Sequence, residues 1–68
     1  MPTGRVKWFD ATKGYGFIAP DDGGKDIFVN IRAVENAGYT NLVEGACVSY
    51  ELRPDRFGKM MAQNLRIG

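Results

Sequence analysis

Glycine, proline and aspartate recur at short intervals along this chain and divide it into short segments in which apolar and polar residues alternate. Alternation with period two is the pattern of a half-buried β-strand, and the dividing residues are those that favour tight turns. The exception is residues 32–38, "RAVENAG", which favour one or two helical turns ended by Gly38. The pattern therefore predicts a single all-β domain over residues 1–68, a small barrel of five short strands.

Turn composition separates the predicted strands. "DDGG" at residues 21–24 supplies the positive φ angles that a hairpin turn needs, and Pro54 marks a later turn. In the loop 39–45, Leu42 and Val43 are expected to anchor the chain. The predicted strands span residues 4–11, 15–19, 25–31, 46–52 and 59–67.

The chain has one cysteine, Cys47, and no histidine, so neither a disulfide nor a tetrahedral zinc site can stabilise it. Asp21, Asp22 and Asp26 lack the spacing of a calcium loop, and no metal or cofactor is predicted. The formal net charge of +1 is far from strongly basic, so a polyanionic partner requires the cations to lie on one face. No run approaches the roughly 20 apolar residues of a membrane span, and the N-terminus lacks a signal-peptide pattern. We expect a cytoplasmic protein without membrane contact.

Aromatic residues occupy one face of the second and third predicted strands. Side chains alternate between faces, so Tyr15 and Phe17 share one face, as do Phe28 and Asn30. The opposite faces of these two strands are also apolar. To bury both faces, the protein would need a further layer of structure on each side. The rest of the chain supplies about one small core, so the aliphatic face is predicted to be inside and the aromatic face outside. The predicted core is Val6, Ile18, Ile27, Val29, Val34, Val48, Tyr50, Leu52, Leu65 and Ile67.

Exposed rings interleaved with lysine and glycine are typical of a surface that stacks the bases of a nucleic acid. Each stacked base contributes about 1–3 kcal/mol, and nearby cations bind the phosphates. Gly14 and Gly16 are expected to leave room for bases beside the rings. The cations predicted to flank the rings are Lys7, Lys13, Lys25, Arg56 and Lys59.

The segment "GRVKWFDATKGYGFIAPDDGGKDIFV" resembles the bacterial cold-shock proteins, and the resemblance extends over the whole chain. Residues 13–18, "KGYGFI", match the first RNA-binding motif of that family, and residues 27–31, "IFVNI", match the second. "NAGYTNLVEGACVSYEL" also fits. The resemblance implies a five-stranded antiparallel OB-type barrel that binds single-stranded RNA and DNA. It implies stacking and backbone contacts from Trp8, Tyr15, Phe17, Phe28, Tyr39, Lys7, Lys13 and Arg56.

At the family level the resemblance also implies an RNA chaperone, or a regulator of transcription or translation, in cold or general stress. We expect the protein to act as a monomer.

Three features depart from the family pattern. Asn30 and Ile31 stand where histidine and phenylalanine are common, so two stacking rings are absent, although the Asn30 amide can hydrogen-bond a base edge. Asp10 stands where asparagine is common and adds a negative charge beside the rings. The last loop, "RPDRFGKMMAQN", is one residue longer than in well-known members and carries an additional aromatic residue, Phe57.

Three other interpretations compete with this one. The RNA recognition motif has a similar aromatic motif, but that fold needs two helices and places its shorter motif first. An enzyme is not predicted, because no histidine is available for acid–base catalysis and Cys47 is expected to be a small core residue. The remaining alternative is a small β-barrel module that binds peptide, although lysines beside the rings argue against it.

The remaining large side chains allow simpler predictions. Trp8 and Phe9 are neighbours on a strand, so one of them faces inward, and Phe9 is predicted to do so. Met60 and Met61 lie on opposite faces, so at least one is exposed. Tyr39 either stacks on a base or caps the short helix.

Overall fold

The computed structural model describes residues 1–68 and contains five strands and one short helix. The strands are β1 (Thr3–Asp10), β2 (Tyr15–Pro20), β3 (Ile27–Asn30), β4 (Cys47–Pro54) and β5 (Met60–Ile67), and the helix α1 (Ile31–Asn36) lies between β3 and β4. The sheet closes into a barrel in the order β1-β2-β3-β5-β4, which confirms the predicted five-stranded fold. The single helix excludes the two-helix RNA recognition motif. No helix here has the length and apolar character needed to cross a membrane.

One strand pairing differs from the antiparallel barrel that the family resemblance implies. β3 and β5 run parallel, with Phe28 opposite Met61, whereas the other four pairings are antiparallel. The reason is the connection between them, since α1, a loop and β4 intervene before β5 reaches β3. A long crossover of this kind can return a strand in the same direction, which a hairpin cannot.

The third strand is shorter than predicted at both ends. The sequence predicts a strand over residues 25–31, but β3 spans Ile27–Asn30, with Lys25 and Asp26 left in the β2–β3 loop and Asn30 at the start of the helix. The Asn30 side-chain oxygen accepts a hydrogen bond from the Arg32 backbone N–H at 2.9 Å, the bond of a helix N-cap. Ile31 therefore belongs to α1, and its side chain packs against the core.

The core fills the barrel and the space under α1. Most of the predicted core is buried, and Ile27 and Ile67 are half-buried against it. Ala33, Leu42 and Ala62 were not in the predicted core and complete it. The buried core residues are Val6, Ile18, Val29, Ala33, Val34, Leu42, Val48, Tyr50, Ala62 and Leu65.

Three expectations about burial are wrong. Leu52 is 42% exposed, because β1 pairs only with the first residues of β4. At Leu52, β4 therefore has a neighbouring strand, β5, on one side only. Of the two expected loop anchors, Leu42 is buried but Val43 is 72% exposed. Cys47 is exposed rather than buried, because the next residue, Val48, takes the inner face of β4.

A bulge in β1 determines that Trp8, and not Phe9, faces outward. Val6 and Trp8 are two positions apart on β1, but their partners on β2 are adjacent. The extra residue, Lys7, reverses the alternation of side chains beyond it. Phe9 consequently packs against the core, as predicted.

The two glycines of the aromatic motif serve the fold. A Cβ atom at Gly16 would lie 2.7 Å from both Cα and Cδ1 of Phe9 and closer still to the carbonyl oxygen of Trp8. The space at Gly16 is therefore filled by β1, and the expectation that it accommodates bases is wrong. Gly14 has a φ of 86°, a left-handed conformation that the β1–β2 turn requires and that glycine adopts without strain.

Candidate nucleic-acid interface

Four aromatic side chains form a cluster on the outer face of β1, β2 and β3. Trp8, Phe17 and Phe28 lie in a row, because Trp8 pairs with Phe17 and Phe17 pairs with Phe28 across the strands. Tyr15 lies two residues before Phe17 on β2 and therefore shares its face. We call these four residues the aromatic platform. Five pairs of its rings have centroids 5.4 to 6.2 Å apart.

The platform rings support one another without entering the core. All four are half-buried, and none belongs to the buried set inside the barrel. Tyr15 contacts the other three rings and is nearly parallel to Phe28, at an interplanar angle of 20°. The outward placement of these rings agrees with the prediction. Their mutual contacts add a structural role, since an aromatic pair contributes about 0.5–1.5 kcal/mol beyond area burial.

Two lysines near the platform are engaged in different ways. Lys59 Nζ lies 5.5 Å from the centroid of the Phe28 ring, within cation–π range. Lys7 Nζ instead forms an ion pair with Asp26 Oδ2 at 2.7 Å. The charge of Lys59 is thus not neutralised by a carboxylate and is available to an anion, whereas the charge of Lys7 is partly neutralised by Asp26. Sequence reasoning missed this role of Asp26, because no local pattern connects it to Lys7.

Three further predicted cations, Lys13, Lys25 and Arg56, are exposed and take part in no ion pair. Lys13 precedes Tyr15 in the β1–β2 turn, and Lys25 precedes β3. Arg56 lies in the turn between β4 and β5, which also carries Lys59. All three are free to bind an anion.

Asp10 organises the turn that carries Lys13. Its Oδ1 atom accepts hydrogen bonds from the backbone N–H groups of Thr12 and Lys13, at 2.9 and 3.0 Å. Asparagine could accept the same two bonds, so the negative charge of Asp10 is not needed for the turn.

Asn30 and Tyr39 are placed differently from the four rings. Asn30 lies opposite Tyr15, at the edge of the platform, and its oxygen is already used as the helix cap. Tyr39 follows α1, is 38% exposed and makes no contact with a platform ring. Its backbone N–H donates to the Val34 carbonyl at 3.0 Å, which favours its role at the end of the helix.

Two groups on β4, which is not a platform strand, have a shifted pKa. Burial, followed by the charges of Asp22 and Asp21, raises the pKa of Tyr50 above its ordinary value of 10.0. A hydrogen bond from the Asn64 amide is the main cause that holds the pKa of Glu51 below its ordinary value of 4.5. These shifts concern the stability of the barrel rather than the platform.

Comparison with known proteins agrees with the motifs. The model of the family described as 'Cold-shock' DNA-binding domain matches residues 2–67. The chain is 61% identical over 67 residues to the probable cold shock protein y4cH of Sinorhizobium fredii, and the match covers 97% of each chain. It is 55% identical over 67 residues to cold shock protein CspA of Rhizobium meliloti, again over 97% of each. It is also 47% identical over 60 residues to the cold shock-like protein CspB of Escherichia coli, covering 88% of this chain and 84% of the other. The chain therefore belongs to the cold-shock DNA-binding domain family.

Proposed function

We propose that this protein binds single-stranded RNA and DNA by stacking bases on the aromatic platform. The observation that carries the proposal is the row of half-exposed rings on three adjacent strands, with Tyr15 beside it. An aromatic ring accepts the face of any base and contributes about 1–3 kcal/mol for each base stacked. Membership of a family of DNA-binding domains supports the same conclusion.

The open faces of the platform rings favour a single strand over a duplex. A base stacks on a ring through its free face, and in a duplex each base face is covered by the neighbouring base pairs. A duplex would therefore have to melt before its bases could stack on the rings.

Cations around the platform supply the phosphate contacts. Those without an ion pair are Lys13, Lys25, Arg56 and Lys59. On single strands each phosphate contact contributes about −0.7 to the slope of log K against log salt, so three or four contacts predict a slope of roughly −2 to −3. With a net charge of only +1, the protein obtains most of its affinity from stacking.

Asn30 and Tyr39 are assigned secondary roles. The Asn30 amide N–H groups make no hydrogen bond within the chain and can donate to a base edge beside Tyr15. Tyr39 can stack a base outside the platform.

The proposed biological role is that of an RNA chaperone, or a regulator of transcription or translation, in cold or general stress. Relatives named cold shock proteins support this role. In this proposal the protein acts in the cytoplasm as a monomer, without a cofactor and without enzymatic activity.

A peptide-binding module is the competing function, since a small barrel with an aromatic face can bind proline-rich segments. Lys59 over the Phe28 ring favours a polyanion instead, because it places positive charge directly on the stacking surface.

The test is a titration of Trp8 fluorescence, because this single tryptophan lies on the platform itself. Ligands are dT, dC and dA oligomers, the matching RNA, a duplex and a proline-rich peptide. Single strands should change the emission, and duplex and peptide should not. Phe28→Ala should weaken binding by about 5- to 150-fold, and Val43→Ala, at an exposed position of a loop, should not. Equal affinity for the duplex or the peptide would refute the proposal.

A further inference from the structure

We propose that Phe57 forms an additional stacking site, which takes one further base of the same strand beyond the Phe28 end of the aromatic platform. The inference rests on the proposed function and extends it by one nucleotide. Phe57 is the most exposed large hydrophobic side chain, at 86%. A ring so fully in water adds nothing to the core, and an exposed aromatic group beside a binding surface is the kind of feature that marks a contact site.

The turn that carries Phe57 is ordered by its own hydrogen bonds. Asp55 Oδ1 accepts the backbone N–H groups of Phe57 and Lys59, at 2.8 and 2.9 Å. The Asp55 N–H donates to the Lys59 carbonyl at 2.8 Å, and Gly58 adopts the left-handed φ of 83° that the turn needs. None of these bonds involves the Phe57 ring. Because the backbone of the turn is already ordered, binding at Phe57 costs only the rotamer freedom of its side chain.

Lys59 connects this turn to the platform. Phe57 and Lys59 are two residues apart, so their Cα atoms lie within about 7.6 Å of each other. Lys59 Nζ lies 5.5 Å from the centre of the Phe28 ring. The strand β5 starts directly after Lys59 and pairs with β3 at Met61 and Phe28. In the proposed binding mode, a strand with a base on Phe28 places its phosphate at Lys59 and its following base on Phe57.

The charge of the turn favours nucleic acid as the occupant. Arg56 and Lys59 flank Phe57 and form no ion pair. In the only carboxylate of the turn, that of Asp55, the Oδ1 atom accepts two backbone N–H groups. With one unpaired cation on each side, the ring can stack a base while the cations bind its phosphates. A second copy of the chain would instead bring like charges together.

The experiment compares the wild type with Phe57→Ala, Phe57→Leu and Phe57→Tyr on oligo-dT of about 4 to about 16 nucleotides, read by Trp8 fluorescence. Leucine keeps an apolar side chain without a ring, and tyrosine keeps the ring. The alanine and leucine variants should match the wild type on the shortest strands. They should lose about five- to tenfold in affinity once the strand extends beyond Phe28, while the tyrosine variant keeps wild-type affinity. Val43→Ala, another exposed apolar residue, is the matched control.

The outcomes separate this inference from the proposed function. A wild type that binds no single strand refutes the proposed function, and the additional site with it. A wild type that binds, together with a Phe57→Ala variant of equal affinity at every length, refutes the additional site alone. A uniform loss at all lengths, or a leucine variant equal to the wild type, also refutes stacking by Phe57. A wild-type dimer in sedimentation that Phe57→Ala abolishes would assign the ring to self-association and overturn the inference.

Discussion

The ion pair between Lys7 and Asp26 is expected to limit nucleic-acid binding, because it holds a platform-side lysine on a carboxylate. The atoms Lys7 Nζ and Asp26 Oδ2 are 2.7 Å apart, and the two side chains are 56% and 37% exposed. A pair with this much solvent contact contributes about 0–1 kcal/mol. A phosphate that recruits Lys7 must first displace Asp26. Asp26→Asn should therefore raise the affinity for oligo-dT by up to about 1 kcal/mol, or about fivefold.

The assay is a set of Trp8 titrations at several salt concentrations. Because Lys7 gains one phosphate contact, Asp26→Asn should make the slope of log K against log salt more negative by about 0.7. Asp22→Asn is the matched control, since it removes one negative charge from the same loop. In the wild type the Gly24 backbone N–H donates to Asp22 Oδ1 at 2.8 Å, and an asparagine oxygen can still accept this bond. The slope of Asp22→Asn should stay at the wild-type value. Equal changes in both variants, or no change with Asp26→Asn, would refute a specific competition for Lys7.

Four further predictions follow from particular contacts. Tyr15→Ala should weaken oligonucleotide binding by about 1–3 kcal/mol and also lower the free energy of unfolding by about 1 kcal/mol, since Tyr15 contacts three rings; titration and thermal melting measure both, and unchanged affinity would contradict a platform role. Gly16→Ala should destabilise the barrel by about 1–3 kcal/mol in denaturant unfolding, because its Cβ overlaps β1; wild-type stability would show that the strands can separate freely. Asn30→Ala should lose about 0.5–2 kcal/mol of stability with the helix cap, while Asn30→Asp keeps it; equal melting temperatures for the two variants would argue against the cap. Because the pKa of Glu51 is lowered, its carboxylate contributes fully to stability above about pH 4.5, and this contribution is lost as the pH falls through the lowered pKa. Thermal melts from neutral to acid pH should therefore show a smaller acid-induced loss of stability for Glu51→Gln than for the wild type, and an identical loss would exclude the effect.

The outward face of β2 and β3 could be predicted from alternation alone. Tyr15, Phe17 and Phe28 follow the period-two rule, and the chain has too little apolar material to cover both faces. Alternation does not predict the outward position of Trp8, because the period-two pattern continued from Val6 would place Trp8 inside the barrel. The choice of Phe9 as the inward residue was correct, but its cause, the bulge at Lys7, has no recognisable signature in the sequence.

Contacts between distant segments could not be predicted. The Lys7–Asp26 pair depends on β1 and β3 lying on either side of β2, and the parallel β3–β5 pairing depends on the closure of the barrel. The helix cap at Asn30 did have a local signal, since asparagine is among the favoured residues at a helix start. Alternation in the segment 25–31 outweighed that signal and extended the predicted strand too far.

The central claim, that the rings bind bases, is tested most directly by a strand without bases. An abasic deoxyribose-phosphate oligomer keeps every phosphate of oligo-dT of the same length and removes the groups that stack. With about 1–3 kcal/mol from each stacked base, the loss of even two bases should weaken binding by roughly 30-fold or more at matched salt. Affinity for the abasic strand within a fewfold of that for oligo-dT would contradict the account, because the cations alone would then be sufficient for binding.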